Sequence, residues 1–186
     1  MPVHSIHIFD RKGKTLFTKR YMKDDAANNM DDEELSEQRK LVFGMLFSLR
    51  EVVTSLTPED LRDSTGTGAL QSVQTGASTL YNYETASGLR FAMYVTNFAA
   101  QSDTMATTTA PNSANALTPS GASSSASLAQ NAYSSNIRNA LAYIYNELWI
   151  QCVTRSPLYQ TDDPNVHATN FEQNLDNYLA TQSWFR

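Results

Sequence analysis

The sequence predicts an α+β fold, an antiparallel sheet with helices packed on it, and three observations lead there. Short β-prone runs separated by glycine turns open the chain and recur in its middle. A long segment between them repeats apolar residues at helical spacing, and two further helical patterns close the chain. The order is therefore ββ-α-βββ-α-α, in which neighbouring strands joined by tight turns pair antiparallel.

Residues 3–9 form the first β-prone run, and Asp10-Arg11-Lys12-Gly13 leads to a second over 15–22. Gly13 supplies the positive φ that a tight hairpin needs. Residues 23–34 are acidic and Asn-rich, as expected of a solvated loop, and end in Asp31-Asp32-Glu33-Glu34. Asp31 and Glu34 have capping-box spacing, and carboxylates here meet the positive end of a helix dipole. The helix that follows is expected from about Asp32 to about Leu56, where Thr57-Pro58 stops it. Three β-prone stretches come next, over 69–75, 79–84 and 89–97, the last two joined by the turn Thr85-Ala86-Ser87-Gly88.

From about 98 to 131 the composition shifts to Ser, Thr, Ala and Asn, with Asp103 the only charge. Such a segment buries too little apolar surface to offset its ordering entropy, so a disordered insertion within a single domain of residues 1–186 is expected. Beyond it, Ile137, Leu141, Ile144, Tyr145, Leu148 and Cys152 recur at helical spacing up to Ser156-Pro157. Phe171, Leu175, Tyr178 and Leu179 mark a final short helix ending near Trp184-Phe185.

Composition excludes several functions. The net charge of −5 argues against nucleic acid as a partner and against a polybasic membrane anchor. One cysteine, Cys152, excludes an internal disulfide and reads as a small buried thiol. Apolar runs fall well short of the roughly 18 residues of a membrane span. The opening Met-Pro-Val-His lacks a signal region, and Pro2 excludes N-myristoylation. A soluble, cytosolic chain that meets membranes only through partners is expected.

The inventory of reactive groups points away from catalysis and from any cofactor or metal. His4 and His7 are three apart on a strand and are expected on opposite faces, while His167 stands alone in a polar link. Asp63-Ser64-Thr65-Gly66-Thr67-Gly68 lacks the Gly-Lys-Ser/Thr ending of a phosphate loop. The acids at 24–25 and 31–34 lack EF-hand spacing. No Gly-x-Ser-x-Gly nucleophile motif occurs.

The first long helix carries more information. At about 100° per residue, Leu41, Val52, Met45, Leu56, Leu49, Val42, Val53 and Leu46 fill one stripe about 140° wide, expected to face the core. Phe43 and Phe47 fall outside it, and Gly44, Ser48, Glu51 and Ser55 form a face of small or polar residues. A buried phenylalanine is worth roughly 1.5–3 kcal/mol, so this pair meets either a protein partner or another part of its own chain. Tyr143 and Ile150 lie opposite the Ile137–Leu141–Leu148 stripe and mark either a second contact or isolated exposed apolar groups.

Several segments together resemble one family. They are Val3-His4-Ser5-Ile6-His7-Ile8-Phe9-Asp10-Arg11-Lys12-Gly13, the helical block Lys40-Leu41-Val42-Phe43-Gly44-Met45-Leu46-Phe47-Ser48-Leu49-Arg50, Leu80-Tyr81-Asn82-Tyr83-Glu84-Thr85 with Ser87-Gly88, and Ala142-Tyr143-Ile144-Tyr145 leading to Ser156-Pro157-Leu158. In order and spacing they resemble the sybindin-like subunits of the trafficking protein particle (TRAPP) complex. Ala86-Ser87 departs from the proline-containing turn common in that family, and the Ser/Thr-rich insertion is absent from its compact members. The resemblance implies a longin or SNARE-like fold, a five-stranded antiparallel sheet with helices on both sides. It implies a core subunit beside other TRAPP subunits, at the endoplasmic reticulum and cis-Golgi, in a complex that exchanges nucleotide on a Rab GTPase. Such a subunit offers a binding surface and no active site of its own. A small longin-like subunit of a clathrin-type cargo adaptor is the alternative. A longin-type SNARE requires a coiled coil and anchor that this sequence lacks.

Overall fold

The computed structural model describes residues 3–21, 32–58, 69–76, 78–97, 122–157 and 169–185. Strands β1 (Val3–Phe9), β2 (Thr15–Arg20), β3 (Ser72–Thr75), β4 (Ser78–Glu84) and β5 (Arg90–Thr96) form one antiparallel sheet in the order β2-β1-β5-β4-β3. Helix α1 spans Asp32–Leu56, α2 Ala122–Tyr143, and α3 Thr169–Thr181. The α+β longin-type architecture expected from the sequence is the one observed.

Two turns explain the hairpins. Asp10 Oδ1 accepts from the backbone N–H groups of Lys12 (2.8 Å) and Lys14 (2.7 Å), and Gly13 follows at φ 87°. Gly88, at φ 84°, closes the β4–β5 turn, where its N–H donates to the Thr85 carbonyl at 2.9 Å. Both residues adopt the left-handed conformation that costs any L side chain about 1–2 kcal/mol.

Strand periodicity divides the interior into two layers. On one face Ile6, Ile8, Tyr81, Phe91, Met93 and Val95 pack with α2 and α3; on the other Phe9, Leu80 and Ala92 pack with Val42 and Leu46 of α1. Trp149 sits fully buried in the larger layer, edge-on to Phe91 at 5.8 Å and to Phe171 at 5.4 Å.

That burial corrects the expected stripe. After Tyr143 the helix widens into a π-helix, Ile144–Thr154. Its i→i+5 bonding adds almost one residue per turn, so the inward positions after Ile144 become Trp149 and Val153 in place of Leu148 and Cys152. Leu148 and Cys152 flank the core, partly buried.

Helix α2 begins at Ala122, inside the compositionally polar segment; residues 98–121 of that expected insertion lie outside the described residues. Also outside them lie Asp31 of the capping box, the acids at 24–25, Asp63 to Gly68 and His167.

Candidate protein-interaction site

Helix α1 lies across the sheet with its core face turned from the expected one. Val42 and Leu46 are buried and Phe43, Met45, Leu49 and Val53 half-buried, whereas Leu41, Val52 and Leu56 are 73%, 50% and 77% exposed. The buried face is thus centred roughly 50° further round, toward Phe43, at about 100° per residue. The cause is Phe43 itself. Its ring meets Phe9 at 5.7 Å and fills the space above Gly13, where a Cβ would lie 2.6 Å from the ring.

Phe43 therefore packs against its own chain while staying half-buried. Phe47 stacks on Phe43 at 6.4 Å and remains 47% exposed. Gly44, Ser48 and Glu51 are exposed, and beyond the adjoining residues and backbone of its own helix no atom lies within 4 Å of the position a Cβ on Gly44 would take. Around the helix the outward surface runs from Phe47 through Glu51, Gly44, Ser55 and Ser48 to Leu41, Val52 and Leu56. Small residues in the middle with large apolar ones on each flank give this surface the relief of a shallow groove.

The second expected pair behaves otherwise. Tyr143 is 43% exposed but stacks on Tyr178 of α3 at 4.3 Å, and Ile150 is half-buried on the π-helix. Tyr143 thus packs on the chain's own C-terminal helix.

Beneath Phe47 lies a group that sequence reasoning missed. Arg90 opens β5 opposite Glu84 of β4 and Phe9 of β1, and only 4% of it is exposed. Its guanidinium carbon sits 5.0 Å from the centre of the Phe43 ring and 5.6 Å from that of Phe47. Glu84 is shared: Oε1 lies 3.7 Å from Arg90 Nη2, and Oε2 accepts from Arg50 Nε at 3.0 Å. The cross-strand Glu84–Arg90 pair was readable only once the β4–β5 turn fixed their register.

A second recess lies at the other end of α1. His7 is held between the hydroxyls of Ser5 (3.0 Å) and Thr18 (3.2 Å), with its ring stacked on Phe9 at 5.9 Å. Burial, then the charges of Arg39 and Arg20, lower its pKa to about 4, so the ring is neutral. His4 and His7 line one cavity rather than opposite faces, because a register shift between Val3 and Ser5 breaks the alternation. Among the described residues no group of three or more His, Cys, Asp or Glu is placed to hold a metal ion. None of their helices is long and apolar enough to cross a membrane.

The Sybindin-like family profile matches residues 3–110, which include the five strands and α1. The chain belongs to the sybindin-like family. Among its relatives, trafficking protein particle complex subunit 1 of Homo sapiens and of Rattus norvegicus are each 26% identical over 185 residues, covering 100% of this chain and 97% of theirs. Trafficking protein particle complex subunit BET5 of Saccharomyces cerevisiae is 30% identical over 106 residues, 56% of this chain and 63% of that protein.

Proposed function

We propose that this protein is a core subunit of a TRAPP tethering complex, acting as an assembly and docking surface in vesicle transport. The end-to-end likeness to proteins named as TRAPP complex subunit 1 carries the reading. The exposed apolar flanks of α1 support it, since Leu41, Val52 and Leu56 each forfeit part of roughly 1.5–3 kcal/mol while they face water. In this reading other TRAPP core subunits cover the α1 groove. The assembled complex exchanges guanine nucleotide on a Rab GTPase of the early secretory pathway, at the cytoplasmic side of the endoplasmic reticulum and cis-Golgi. The chain contributes surface to that exchange and no turnover of its own.

Reconstitution tests this directly. The purified chain alone is expected to leave nucleotide release from a panel of Rab GTPases unchanged, while the complex assembled with it accelerates release and the complex lacking it does not. Exchange by the isolated chain, or full exchange without it, overturns the assignment. Affinity purification of the tagged chain is expected to recover TRAPP subunits; recovery of clathrin-adaptor subunits in their place reverses the reading.

A further inference from the structure

The rim of α1 next to Phe47 opens on a cavity of about 800 Å³ between the helix, the β1–β2 turn and the β4–β5 turn. Its volume lies in the range of pockets that take small ligands or a few side chains. Three arginines line it, Arg11, Arg50 and Arg90, along with a single acidic residue, Glu84. The cavity is therefore positively charged in a chain whose net charge is −5.

The charges inside it are poorly matched. Arg90 is buried, its Nη1 has no hydrogen-bond partner, and its contact with Glu84 is long at 3.7 Å. Glu84 gives its better bond, 3.0 Å, to the half-exposed Arg50. Arg11 is exposed and makes no ion pair among the described residues. A buried charge without full pairing is costly, and three guanidiniums against one carboxylate leave two positive charges unmatched.

We infer that this cavity is a docking site for an acidic peptide segment of a protein partner, with one carboxylate received between Arg11 and Arg50. The incoming carboxylate takes Arg50, which leaves Glu84 to close on the buried Arg90. The aromatic face of Phe47 and the methyl groups of Ala69 and Ala86 take an apolar residue beside that carboxylate. The inference does not depend on which complex the chain joins.

The test uses the full chain and a fluorescein-labelled, terminally blocked peptide of alternating Glu and Leu with one Phe, read by fluorescence anisotropy. Saturable binding is expected, weakened at least about tenfold by Arg11→Glu and by replacing every Glu of the peptide with Gln. The Lys12→Glu control sits beside Arg11 but outside the cavity lining and is expected to change the affinity by less than about threefold, as a screened surface charge does. Arg50→Gln is expected to weaken binding as Arg11→Glu does, with circular dichroism confirming the fold. Absence of saturable binding overturns the inference, as does equal binding of the Gln peptide or equal loss in Lys12→Glu. Displacement of the peptide by inorganic phosphate at lower concentration than by acetate overturns the choice of carboxylate.

Discussion

Lys19 Nζ lies 2.6 Å from Asp176 Oδ2, a bond that joins edge strand β2 to helix α3 across 157 residues of sequence. The same ammonium bonds Glu172 at 2.6 Å, and the Tyr21 hydroxyl donates to Asp176 Oδ1 at 3.1 Å. Burial and the Asp176 charge push the Tyr21 phenol above its ordinary range, so it remains a donor at physiological pH. Beside this cluster, Phe17 packs edge-on to Phe171 at 5.0 Å and Tyr21 to Phe185 at 5.2 Å. Polar clasp and aromatic contacts together hold the C-terminal helix on the sheet.

The clasp is partly exposed at Asp176 and Glu172, so its worth is modest. Asp176→Asn is expected to cost about 1 kcal/mol, a drop of about 2–4 °C in Tm for a chain of this length. Amide exchange in α3 is expected to quicken more than in β5. Equal quickening everywhere contradicts a local role for the clasp.

Trp149 carries the packing that the π-helix makes possible. Trp149→Ala is expected to cost about 3–5 kcal/mol and Leu148→Ala less than half of that, measured by urea unfolding. The reverse ranking restores an uninterrupted α-helix through residues 144–154.

His7 makes stability depend on pH. Its folded-state pKa of about 4 lies below the ordinary 6.5, so the unfolded chain takes up the extra proton first. The neutral ring's contribution is complete above pH 6.5 and is lost as pH falls toward 4, about 3 kcal/mol across that window. The Arg39 and Arg20 charges act in the same sense as burial. The fall in urea midpoint between pH 6.5 and 4 is expected to be smaller in His7→Gln than in the native chain. Identical slopes remove His7 as a cause.

Phe47→Asp and Leu41→Asp place a charge on each flank of the α1 groove. Both are expected to leave the Tm of the isolated chain within a few degrees, because surface changes stay near 0.5 kcal/mol. Pull-down of partner subunits is expected to weaken at least about tenfold, the equivalent of 1.4 kcal/mol. Phe43→Asp is expected to unfold the chain, since that ring is enclosed by Phe9, Gly13 and Arg90. Unchanged assembly with Phe47→Asp takes the groove out of the interface.

Element order, the span of α1 and the two glycine turns were legible in the sequence, because each depends on interactions a few residues apart. Val3–Phe9 and Asp32–Leu56 begin and end where alternation, helical spacing and Pro58 place them. Facing was not legible. The α1 stripe was wide enough to cover more than the sheet has room for, and only the fit of Phe43 over Gly13 decided that Leu41, Val52 and Leu56 face outward. The inward turn of Trp149 depends on a π-helix that no local spacing announces, and the joint placement of His4 and His7 depends on a bulge against β5. The Arg11–Arg50–Arg90 cavity draws on three separate elements, so its charges meet only when the sheet closes. Local periodicity determined which elements this chain makes; long-range packing decided which of their faces remain for a partner.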